Sequence, residues 1–141
     1  MAEETTTTPT TEAPVAAPKK KKVKRTVAAG QLHIKATFNN TIVTITDKQG
    51  GVIATSSAGA CGFRGSKKGT AYAAQIAGEK ALNTAKQNHN LNTVEVYVKG
   101  TGQGRDAAIR AAATLGIEIE SIADKTGVPH GGVRPRKVRR T

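Results

Sequence analysis

LHIKATFNNTIVTITDKQGGVIATS, residues 32–56, changes character twice within 25 residues. Leu32, Ile34, Ala36 and Phe38 fall on one side of a period-two pattern, with His33, Lys35 and Thr37 on the other, as in a strand buried on one face. Thr41 to Thr46 is dense in β-branched residues, whose stiff side chains suit a pleated surface. Asp47, Lys48, Gln49, Gly50 and Gly51 supply turn chemistry before extended patterning resumes from Val52 to Ser56. Three strands in an antiparallel meander follow, with Phe38 among the apolar residues of the first.

Beyond this run the period lengthens. From Gly69 to about Asn88, Ala73, Ala74, Ala77, Gly78, Ala81, Leu82 and Ala85 share one arc of a helix, opposite Gln75, Glu79, Asn83 and Lys86. Side chains this small suit close packing against a sheet. Val94, Val96 and Val98 alternate with Glu95, Tyr97 and Lys99, giving a fourth strand; the helical crossover makes it parallel to a strand of the meander. Gly100 to Gly104 turns into a second helix, with Ala108, Ile109, Ala112 and Leu115 on one face and Gly116 as its stop. Ile117 to Ala123 reads as the last strand. The order βββαβαβ predicts a single α/β domain, a mixed five-stranded sheet with two main helices, for which a ribonuclease-H-like arrangement is one solution.

At 141 residues the chain has room for one modest core plus tails. Residues 1–29 read as a disordered N-terminal extension: Thr, Pro and Ala with Glu3, Glu4 and Glu12, then a basic run over 19–25. Residues 30–126 form the α/β domain, and 127–141 an extended basic C-terminal arm. The net charge is +12 and the pI about 10.2, and half of the 22 Lys and Arg residues sit in the two tails. Such a balance points to a polyanionic partner. A membrane is excluded as that partner, because there is no Trp, only two Phe and no long apolar run. The acidic, Thr-rich start has no secretory h-region, so a cytoplasmic protein is expected. Cys61, the single cysteine, permits neither an intramolecular disulfide nor a multi-cysteine zinc site and reads as a small structural residue.

Three segments carry the chemistry. Gly59 to Lys68 combines glycines with Arg64, Lys67, Lys68, Ser66 and Phe63. Gly62 and Gly65 let a phosphate approach the backbone and the cations neutralise it; Phe63 either stacks on a base or tucks into the core, and the sequence leaves both open. Lys99, Gly100, Gly102, Gly104 and Arg105 form a turn that opens a helix, where free amides and the helix dipole favour a phosphate; the plainer alternative is a tight strand-to-helix turn. The run from Pro129 to Arg140 has His130, then Arg134, Arg136, Lys137, Arg139 and Arg140 without one acid, and its prolines and glycines forbid regular structure.

No cofactor is expected. The glycine turn is GxGxG, not GxGxxG, and no window matches GxxxxGK followed by Ser or Thr. A two-metal nuclease needs converging carboxylates, and the first strand carries none. Asp47 reads as a turn residue and Asp106 as an electrostatic partner of a helix N-terminus. His33, His89 and His130 have no Cys or Asp at metal-ligand spacing.

Phe38-Asn39-Asn40-Thr41, Ser56-Ser57-Ala58-Gly59, Gly62-Phe63-Arg64-Gly65-Ser66, Val98-Lys99-Gly100, Gly104-Arg105 and Pro129-His130 together resemble small-subunit ribosomal protein eleven, most closely in its bacterial form, from about Gly30 to Thr141. The resemblance implies a ribonuclease-H-like fold on the platform of the small subunit. There it would bridge ribosomal RNA helices near the cleft where messenger RNA leaves, without catalysis or a small-molecule substrate. It further implies small-subunit proteins seven and eighteen as neighbours, and adds Asn39 and Asn40 to the RNA-contact residues. The chain departs from the family's usual Pro at Thr101, Asn at Gly131, Cys at Val133, Pro at Arg136 and frequent aromatic at Thr55. Two rivals remain distinguishable: a metal-dependent nuclease, whose cleavage a carboxylate substitution would abolish, and a general polyanion binder, whose salt slope would be the same for DNA and RNA.

Overall fold

The period-two runs become strands and the small-residue arcs become helices. The computed structural model describes residues 25–140: β1 (Ala29–Ala36), β2 (Thr41–Asp47), β3 (Val52–Ser57), α1 (Ala71–His89), β4 (Thr93–Lys99), α2 (Gly104–Thr114) and β5 (Glu118–Asp124). Two short 3-10 turns, Gly59–Cys61 and Gly65–Gly69, link β3 to α1. The N-terminal expectations for residues 1–24 lie outside the described residues.

The sheet runs β3-β2-β1-β4-β5. β1 is central, antiparallel to β2 with Leu32 opposite Ile45, and parallel to β4 with Leu32 opposite Val96. β2 and β3 are antiparallel, β4 and β5 parallel, so the sheet is mixed, as the crossover argument requires. Leu32, Ile34 and Ala36 of β1, Val43 and Ile45 of β2 and Val94, Val96 and Val98 of β4 are buried on one face. Both helices cover that face, α1 over β2 and β3 and α2 over β1, β4 and β5. The other face has no layer over it among the described residues.

Small residues let the helices approach each other closely. A Cβ added at Gly78 would lie 3.2 Å from the Cβ of Ala111, across a seam of Ala74, Ala77, Ala81, Ala108 and Ala112, all essentially inaccessible. Thr70 caps α1, its side chain accepting from the Ala73 amide, and Asn90 ends the helix in the left-handed region at φ 53°. Gly116, at φ 75°, follows α2 as predicted.

Two boundaries differ from the sequence reading. Phe38 does not share the buried face of β1: the strand stops at Ala36, and Phe38 is 78% exposed in the loop beyond. The strand stops although the apolar alternation runs on, because Thr37 and Asn40 close a turn, the Thr37 amide donating to the Asn40 carbonyl at 2.9 Å. Ordered contacts also begin before residue 30. The Val27 amide donates to the His89 carbonyl at 2.8 Å, Arg25 pairs with Asp47 at 3.5 Å, and Ala29 already lies opposite Thr93.

Candidate nucleic-acid interface

Strand directions decide where the three predicted segments meet. β1, β4 and β5 are parallel and end at one edge of the sheet; β3 ends there too, and β2 starts there. The Thr37–Asn40 loop, the 58–69 connection, the Gly100–Gln103 turn and the residues after Asp124 therefore all leave from that edge. Both helices begin there as well, each directing the positive end of its dipole the same way. In open α/β sheets, ligands gather beyond the carboxyl ends of the parallel strands.

The loops are in backbone contact, and glycine makes that contact possible. A Cβ at Gly69 would sit 2.2 Å from the Phe38 carbonyl oxygen, and one at Gly102 would sit 2.4 Å from that of Thr37. The Phe38 loop is thus clamped between the end of the second 3-10 turn and the glycine turn, whose Gly102 amide donates to the Ala36 carbonyl at 3.1 Å. The Asn40 side chain accepts from the Thr41 amide at 2.9 Å and fixes the start of β2, whereas Asn39 is exposed.

The predicted cations divide into two kinds. Lys67 and Lys99 are exposed and Lys68 half-buried, on the loops themselves. Arg64 folds one guanidinium nitrogen onto the Gly59 carbonyl at 2.8 Å, which shapes its own loop and leaves the residue exposed. Arg105 is half-buried and held by intramolecular bonds, donating to the Gly100 carbonyl and to the Asp124 carboxylate, both at 3.2 Å. Asp124 also accepts from the Thr126 hydroxyl and amide, and the Thr126 hydroxyl accepts from the Gly100 amide at 3.0 Å. The Thr126 bonds, and after them Arg105, hold the Asp124 carboxyl below its ordinary range. This latch ties the root of the C-terminal arm to the glycine turn through the Arg105 side chain.

Gly62 and Gly65 adopt φ 94° and 63° in the 58–69 connection, beside exposed Ser66. Phe63 is half-buried and meets Tyr72 edge-on at 5.8 Å and 84°, a geometry between the two readings the sequence allowed. Beyond the latch, residues 127–140 carry no helix or strand and are exposed, including His130, Arg134, Arg136, Lys137, Arg139 and Arg140.

Two aromatic residues at this end escaped the sequence reading: Phe38, and Tyr72 in the first turn of α1, which is 64% exposed. The paired Asn39 and Asn40 were the available signal, since they mark a turn and make Phe38 a loop residue. All four aromatic side chains of the protein lie outside the buried core, although such rings usually dominate a core. Exposed rings among cations are the furniture of single-stranded nucleic-acid sites. Among the described residues no group of three or more His, Cys, Asp or Glu is arranged to hold a metal ion, and no helix is long and apolar enough to cross a membrane.

A family model described as Ribosomal protein S11 matches residues 30–140, from the first residues of β1 through the basic arm. The match takes in every element of the sheet and every loop at its cationic edge. The chain therefore belongs to the ribosomal protein S11 family, as a ribosomal-RNA-binding constituent of the small ribosomal subunit in the cytoplasm.

Proposed function

We propose that the loop end of the sheet is the surface on which this protein holds small-subunit ribosomal RNA, and that its work there is scaffolding. Asn39, the Gly62 to Lys68 loop, Lys99 and the Gly100 to Gly104 turn form a rigid, glycine-clamped edge that reads shape and phosphates more than sequence. The carrying observation is convergence: segments far apart in the chain meet at one edge, beside both helix N-termini. The arm with Arg134, Arg136, Lys137, Arg139 and Arg140 extends the reach and becomes ordered on its RNA.

The fold is read as ribonuclease-H-like, which the order β3-β2-β1-β4-β5 with an antiparallel first half supports. No catalysis accompanies it: Asp47 accepts from the amides of Gln49 and Gly51 in a turn, and Asp124 belongs to the Arg105 latch at the opposite edge. In the subunit the protein is placed on the platform, bridging RNA helices near the messenger-RNA exit cleft, with small-subunit proteins seven and eighteen as neighbours.

Binding to the platform segment of small-subunit ribosomal RNA, against a length-matched unrelated RNA across a salt series, tests this reading. A preference for the platform RNA that survives high salt supports it. Equal affinity for both RNAs at every salt concentration leaves only a general polyanion binder.

A further inference from the structure

The sheet face turned away from the helices has its own order, which the registers expose. Nearest the loop end, Ile42 of β2, Lys35 of β1 and Lys99 of β4 stand side by side. The next row holds Thr44, His33 and Tyr97, and the row beyond it Gln31 and Glu95. Charge thus changes sign along the face, with its cations against the loop end.

Lys35 and Lys99 are directly opposite one another in the parallel ladder, both exposed. Like charges so placed repel and weaken the pair of strands. Among the described residues neither lysine is in an ion pair, and Glu95, the nearest acid along this face of β4, accepts from the Tyr97 hydroxyl at 3.0 Å. The His33 imidazole is held towards its neutral form, by burial first and by Lys99 second, so the Lys99 charge is felt within the protein. Between the two lysines lies a groove of about 190 Å³, floored by Ile42, Thr44 and the His33–Tyr97 stack, whose rings are 5.3 Å apart and 19° from parallel. Lys125 adds a third cation 5.6 Å from the centre of the Tyr97 ring.

We propose that this open sheet face is a second RNA surface, on which a phosphate sits between Lys35 and Lys99 and the adjoining nucleotide lies over Ile42 and the His33–Tyr97 stack. An uncompensated cation pair is matched by a phosphate, and an aliphatic and aromatic floor by a sugar and base. The surface is continuous with the loop end through Lys99, so one RNA strand passes from the edge onto the face. The inference rests on the loop end being an RNA surface.

The test uses the full chain with small-subunit ribosomal RNA, ultraviolet cross-linking with peptide mapping, and a salt series for wild type, Lys35→Ala and Arg64→Ala/Lys67→Ala/Lys68→Ala. Lys35→Ala is expected to melt no lower than wild type, since it relieves a repulsion. It should weaken RNA binding and make the log–log salt slope shallower by about 0.7, one single-strand phosphate contact. Cross-links are expected at His33 or Tyr97. Wild-type affinity and slope for Lys35→Ala, with no cross-link at either ring, overturns the proposal. So does a face protected only once other small-subunit proteins are added, which assigns it to a protein partner. If the triple variant alone weakens binding, the sheet face fails and the loop end stands; if neither weakens it, the loop end fails as well.

Discussion

Phe38 shows how one side chain changes the reading of a surface. At 78% exposure it stabilises nothing by burial, yet its loop is clamped between Gly69 and Gly102. Phe38→Ala is therefore expected to leave urea unfolding within about 0.5 kcal/mol of wild type. Its affinity for small-subunit ribosomal RNA should fall by about 1–3 kcal/mol, the worth of one base–aromatic stack. An unchanged affinity would show that the ring is idle. Gly102→Ala has the opposite profile: its new Cβ lands on the Thr37 carbonyl, and a forced backbone shift costs about 1–3 kcal/mol, read as a lower urea midpoint. Sequence patterning misassigned Phe38 because alternation records which side a residue takes while the chain is extended. It carries no mark of where extension stops, which here is a matter of the Thr37 to Asn40 turn.

Elements were far more legible than their faces. Apart from the Phe38 end of β1, the three-strand meander, the alanine-rich helix, the valine strand and the last strand stand where periodicity placed them, because period two and period 3.6 are direct consequences of backbone geometry. Periodicity could not say that both helices share one face, or that Lys35 faces Lys99, since register depends on partner strands. The open face has a measurable titration. His33 lies beside Gln31, Thr46, Tyr97 and Lys99, and burial, then Lys99, lower its pKa from 6.5. The folded state therefore binds that proton less readily than the unfolded one. The contribution of neutral His33 to stability is complete above pH 6.5 and is lost as pH falls through the folded value. Lys99→Ala should move the His33 titration upward, towards 6.5, in an NMR pH series of the imidazole protons; no movement would remove Lys99 as a cause.

Over the whole molecule, charge placement was readable from the sequence, whereas the convergence of loops needed strand directions. The arm is the plainest case. Ending the chain at Val133 removes five cations, and if all five meet duplex phosphates the salt slope becomes shallower by about 4.5. A loss of affinity equal at every salt concentration would instead make the arm a shape-reading element. The Arg105 latch was hidden because its partners, Gly100, Asp124 and Thr126, are brought together only by the parallel pairing of β4 and β5. The alanine seam between α1 and α2 has a consequence for the life of the chain. With no aromatic ring in the core and so many buried alanines, each residue of the free domain shields little apolar area from water. A nucleic acid that binds the folded form and not the unfolded one adds about 2.7 kcal/mol of resistance to unfolding at a hundredfold excess over Kd. Copies without ribosomal RNA are consequently expected to be cut sooner than RNA-bound copies in a limited-proteolysis time course, and equal cutting rates would show that the free domain is stable by itself.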